Sequence, residues 1–128
     1  MRNYQRKINN PYYLPHNVYM QTLYLVRDYD RLRSEVLDII YAGATPDGSS
    51  RSSRVGKPTE SKASKIEEAE AKIKAIEAAL LSIEPEYRKG VFDNVCYGSP
   101  YPTDASYETY GRKRRKFLYA VAHQMGNI

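Results

Sequence analysis

The sequence predicts an all-α protein: a long antiparallel helical hairpin carrying a small helical C-terminal element, a degenerate helix-turn-helix. Three observations predict it. Two long stretches carry apolar residues at alternating spacings of three and four. A turn-rich segment separates them. A strongly basic segment near the C-terminus runs directly into a third apolar stripe. The 128 residues are enough for one domain with a modest core.

The first helix is expected from Pro15-His16-Asn17, with Asn17 as N-cap, to about Tyr41. Val18, Leu25, Leu32 and Ile39 recur every seven residues, and Thr22, Tyr29 and Val36 interleave with them. Leu23, Val26, Leu37 and Ile40 widen the stripe, which suits a helix packed in a bundle. Residues 42–58 are rich in glycine, serine and proline, with Val55 as their one large aliphatic, and read as a mobile loop. Within it Arg51, Arg54 and Lys57 are auxiliary candidates for contacting a nucleic-acid backbone.

A second helix is expected from Thr59 or Glu60 to Ile83, with Ile66, Ile73 and Leu80 in one register and Ala69, Ile76 and Ile83 in the other. These seams serve either as intramolecular core or as the interface of a homodimer. A third helix over 86–97 presents Tyr87, Val91, Phe92 and Val95 to a core, and Gly98-Ser99-Pro100-Tyr101-Pro102 stops it. Thr103 or Ser106 can cap the last helix, carried to about Met125, inside which Gly111 marks a kink or a turn. The organisation is therefore an N-terminal arm over 1–14, a hairpin over 15–84 and C-terminal helices over 85–128.

The charge is concentrated. The chain carries a net +5, and Arg112, Lys113, Arg114, Arg115 and Lys116 supply all of it, so the rest is neutral. In a helix such a run points to a polyanion-binding surface, since cations placed on phosphates displace condensed counterions. A solvated basic face and a membrane-surface helix are the blander alternatives. The five read as removable surface charges whose loss leaves the fold intact. Four of the thirteen tyrosines, Tyr97, Tyr101, Tyr107 and Tyr110, lie beside the run. Tyr107 and Tyr110 are candidates for touching nucleic acid, by hydroxyl to phosphate or ring to base. Tyr19, Tyr24, Tyr29 and Tyr119 read as core filler.

Little in the chain suggests catalysis. His16 and His123 are far apart with no nearby carboxylate or cysteine at ligand spacing, and no phosphate-binding glycine loop with its lysine occurs. The expectation is a non-enzyme without cofactor or metal. Cys96, the only cysteine, reads as a buried thiol. No apolar run approaches the roughly 20 residues of a membrane span. No apolar core follows Met1-Arg2-Asn3-Tyr4, so a cytoplasmic protein is expected.

The order of elements resembles phage-encoded transcriptional regulators of the RinA/ArpU type. The residues that carry the resemblance are the tyrosine-rich helix with Leu23-Tyr24-Leu25-Val26-Arg27-Asp28-Tyr29-Asp30-Arg31-Leu32, the loop ending Lys57-Pro58-Thr59-Glu60, the Ile/Ala heptads and the basic segment entering Phe117-Leu118-Tyr119. The resemblance implies a sigma-region-4-like DNA-binding element, with residues 86–97 as its first helix and residues near 106–116 starting its recognition helix. It also implies double-stranded DNA as partner, a homodimer, host RNA polymerase as a further candidate partner, and a bacterial host cytoplasm. Gly98 to Ala105 is too short for the usual middle helix, so that helix is expected to be truncated or absent. A helical DNA-packaging subunit and a protein-interaction adaptor are the rival functions.

Overall fold

Pro15 precedes the helix that begins at His16 and stands as its cap residue, with its ring fixing the backbone angle there. The computed structural model describes residues 5, 7–44 and 58–128, with the side chains of 42–44 and 58–62 excepted. All regular structure among them is helical: α1 (His16–Arg27), α2 (Tyr29–Ala44), α3 (Pro58–Leu80), α4 (Pro85–Tyr97) and α5 (Tyr107–Gln124). The protein is all-α.

Two features of the first helix differ from the sequence reading. Its N-cap is Pro15, without a side-chain cap, and Asn17 lies inside α1. The expected single helix is also broken at Asp28, whose N–H is shared between the Tyr24 and Leu25 carbonyls at 3.1 Å each. Arg31 NH2 lies 2.8 Å from the Asp28 carboxylate, and its hydrogen bond holds that carboxyl below the usual aspartate range. The negative group then sits at the head of α2, where the helix dipole favours it. Apolar periodicity stays in phase across Asp28, so it gave no sign of the break.

α2 and α3 pack along each other in opposite directions. Tyr29 OH donates to Glu77 at 2.6 Å, Leu32 and Val36 meet Ala69 and Ile73 further along, and Asp38 and Ile39 share a shallow cleft with Lys65. Among the described residues Leu32, Val36 and Ala69 form the buried cluster of this seam. Leu37 and Ile40, expected to widen the stripe, are 45% and 48% exposed, because beyond the contacts of Tyr29 and Asp30 with α4 the main packing neighbour of α2 among the described residues is α3.

The larger core lies where α1, α4, α5 and the end of α3 converge. Leu23 and Val26 from α1, Ile76 from α3, Val91 from α4 and Phe117 and Val121 from α5 are all fully buried there. α5 is the most embedded helix, packing on α1, α3 and α4. The arm joins this core through Leu14, which Gln5 grips with two hydrogen bonds of 2.7 and 2.8 Å.

α4 ends as its sequence predicts. Gly98, at φ +73°, takes the left-handed conformation that closes a helix, its N–H reaching the Asn94 carbonyl at 3.0 Å. Residues 98–106 contain no helix, so α4 and α5 are joined without a middle one. Gly90 permits this connection to lie close: a Cβ there would stand 2.7 Å from Pro102 Cδ and 2.8 Å from Tyr110 Cε1. Ser106 caps α5, its hydroxyl accepting from the Thr109 N–H at 3.1 Å. Gly111, expected as a kink or turn, lies inside this continuous helix.

Candidate nucleic-acid interface

Five consecutive cations on a helix point in every direction, so packing decides which of them reach solvent. Arg112 is exposed and the other four are half-buried. Lys113 Nζ pairs with Glu84 at 2.9 Å and lies 5.5 Å from the centre of the Tyr87 ring. That contact holds the Glu84 carboxyl below the usual glutamate range. Arg114 donates through Nε to Asn94 Oδ1 at 3.0 Å and through NH1 to Tyr19 OH at 3.1 Å. Lys113 and Arg114 therefore tie α5 to its neighbours, which speaks against the expectation that all five charges are surface groups whose loss leaves the fold untouched. Arg112, Arg115 and Lys116 stand at spacings of three and four and so share one face of α5.

The tyrosines divide as sharply. Tyr110 is fully buried, its hydroxyl donates to Asp104 at 2.7 Å, and burial, then this bond, push its pKa up to about 12. Its ring stacks on Tyr101 at 5.2 Å with 14° between planes. It is a core residue, and its assignment as a nucleic-acid contact is corrected. Tyr107, one helical turn earlier, is 80% exposed. Arg51, Arg54 and Lys57 lie outside the described residues.

Beside α5 a cleft of about 540 Å³ opens between the N-terminal arm, α1 and the 98–106 connection. Tyr12, Tyr19, Tyr101 and Tyr107 line it together with Arg114 and Arg115, and Gly111 leaves its wall without a side chain. Glu108 lies at the same cleft. Sequence reading missed this site. Tyr12 was not singled out, and Tyr19, read as filler, is 2% exposed yet accepts a hydrogen bond from Arg114 across 95 positions of chain. No local signal marks a contact of that separation.

His16 and His123 are both exposed and sit on different helices. Among the described residues no group of three or more histidine, cysteine or acidic side chains is placed to hold a metal ion. Cys96 is half-buried rather than buried, and desolvation pushes its thiol pKa up. Among the described residues no helix is long and apolar enough to cross a membrane. Comparison with known proteins returns no matching family model, no similar curated protein and no similar solved structure.

Proposed function

We propose that the chain is a non-enzymatic DNA-binding protein, a transcriptional regulator of the phage type its sequence resembles, which holds duplex DNA through the solvent face of α5. The observation that carries this reading is the basic face of Arg112, Arg115 and Lys116, set on a helix whose other side is fixed by the buried Phe117, Leu118 and Val121. A rigid support lets the cations meet phosphates without first ordering the backbone that bears them. Because α1, α3 and α4 cover α5, only one strip of it is free to approach DNA. Backbone contact, uniform over sequences, follows from that geometry more readily than base reading deep in the major groove. Under this reading the partners are duplex DNA, a second copy of the chain and host RNA polymerase, in the cytoplasm of a bacterial host.

The test is duplex affinity measured by fluorescence anisotropy over a series of salt concentrations. Three phosphate contacts at about 0.9 each give a log–log salt slope of about −2.7, and Arg112→Gln with Arg115→Gln and Lys116→Gln should remove most of it. An unchanged slope in that triple variant overturns the assignment.

A second reading, an oligomeric adaptor or DNA-packaging subunit, draws support from Leu37, Ile40 and Tyr41, which expose 45%, 48% and 66% of their surface on α2. Mass in solution separates the two. A monomer or dimer fits the regulator, and a large closed ring fits the packaging subunit.

A further inference from the structure

Lys113 stands at the flank of the basic face of α5. Successive residues of a helix are turned by about 100°, which puts Lys116 between Arg112 and Lys113 around the axis. Arg114 points the other way, where Asn94 and Tyr19 accept from it. Lys113 is one turn from Lys116, yet its ammonium is already held: Nζ lies 2.9 Å from Glu84 Oε1 and 3.1 Å from Oε2, with the centre of the Tyr87 ring 5.5 Å away.

The backbone around Glu84 places its carboxylate for this contact. Glu84 is the cap residue before α4, extended at φ −62° and ψ 145°, and Pro85 at the head of the helix fixes the chain that follows. The side chain makes no cap hydrogen bond to α4. It turns to α5 instead, where it pairs with Lys113 and also feels the charge of Lys116. Half of the Glu84 side chain is in solvent, so the pair adds little to the stability of the fold. What it changes is the charge that α5 offers to an approaching polyanion. One carboxylate cancels one cation on the flank, and it repels any phosphate that comes to Lys116 from that side.

We propose that Glu84 limits the affinity of α5 for DNA by occupying Lys113, which its removal frees as a fourth phosphate-binding cation. The proposal rests on the duplex reading of α5 and deepens it, because it assigns control of that face to a residue outside the basic run. The effect is the same for every DNA sequence, since it acts on phosphates and leaves base edges alone.

The experiment measures duplex affinity of the full chain over the same salt series as the triple variant. Glu84→Gln should bind about five- to tenfold tighter near 0.1 M salt, and its slope should steepen from about −2.7 to about −3.6, one contact more. Adding Lys113→Gln to Glu84→Gln should return both quantities to their wild-type values, which ties the gain to Lys113. Glu86→Gln makes the same change in net charge two positions along, at an exposed residue that forms no ion pair with α5 among the described residues, and should leave the slope near that of the wild type. Both glutamates are exposed, so neither change opens the core. Equal steepening in Glu84→Gln and Glu86→Gln would show that net charge alone governs binding, and overturns the proposal. So does unchanged or weaker binding by Glu84→Gln, or a gain that survives Lys113→Gln. The two readings fail separately. A triple variant that keeps its slope removes the duplex reading and this proposal with it, whereas a triple variant that loses its slope beside an unresponsive Glu84→Gln removes this proposal alone.

Discussion

The region around α5 and the α2–α3 pair are both built from helices with one apolar side, yet they bury very different amounts. Around α5, Leu23, Ile76, Val91 and Phe117 come from four helices and each is fully enclosed. In the α2–α3 pair the buried set is Leu32, Val36 and the small Ala69, with Ile73 partly covered. Leu37 and Ile40, in the same helix, are left almost half exposed. Periodicity says which side of a helix seeks cover; the number of neighbours that converge on that side decides how deep the cover is. The α2–α3 pair is two helices with one shared side, and the core around α5 is the meeting of four.

The largest effect that tests this contrast is Phe117→Ala. Phe117 is fully buried at the centre, so the cavity and the lost burial should cost about 3 to 5 kcal/mol. Against an ordinary domain stability of about 5 to 15 kcal/mol, most of the folded state should be lost near physiological temperature. A small shift in melting temperature would mean that α5 is not the centre of the structure.

Leu32→Ala probes the other region. With one flank of the seam open the gap can collapse, so the cost should sit near the low end for leucine, about 2 kcal/mol. It should also be local: hydrogen exchange should quicken in α2 and the facing half of α3 while amides of α5 keep their protection. Equal quickening in α5 would show that the two regions unfold as one.

The same contrast explains what the sequence makes legible. The all-α class follows from spacing alone, and α4 with its Gly98 stop and the Ser106 cap of α5 follow from local backbone chemistry that needs no partner. The break at Asp28 is invisible because the apolar pattern runs through it unshifted. Within the basic run, charge is plain in the sequence but its use is not: Glu84, Asn94 and Tyr19, which occupy Lys113 and Arg114, are 29, 20 and 95 residues away. Tyr107 and Tyr110 show the limit most directly. They lie one turn apart with the same side chain, and only the fold makes one fully buried and the other 80% exposed.

That division within α5 gives an intermediate effect. Arg114→Gln breaks contacts to α1 and α4 at once, and should cost about 1.5 kcal/mol, the low end for hydrogen bonds to a charged group. Arg112→Gln, at an exposed position, should stay within about 0.5 kcal/mol. Urea unfolding of the two variants checks this, and equal stabilities would mean that the Arg114 contacts add nothing.

The smallest effect sits at the joint between the two regions. Phe92 of α4 lies edge-on between Tyr29 of α2, at 5.2 Å, and Tyr97, at 5.9 Å, while Tyr97 OH donates to Asp30 of α2 at 2.6 Å. Accepting that proton-bearing contact, Asp30 raises the Tyr97 phenol pKa above its ordinary value, so the folded state holds the proton more tightly than the unfolded chain does. A group raised in this way contributes fully below its unfolded pKa of about 10, and the contribution is lost as pH climbs towards the folded value. Tyr110 titrates in the same direction, from about 10 towards about 12, so Tyr110→Phe is the necessary control. Burial also raises the Cys96, Tyr29 and Tyr101 pKa values, so stability should fall as pH climbs through the thiol range and beyond, and Tyr97→Phe should make the part of that fall above about pH 10 shallower while slightly loosening α2 at neutral pH. The effect is small because Tyr97 is 57% exposed and water screens the pair. An alkaline slope identical in wild type and Tyr97→Phe would mean that α2 is held to α4 by the Tyr29–Phe92 ring contact alone, and that the hydrogen bond to Asp30 only orients a tyrosine already in place.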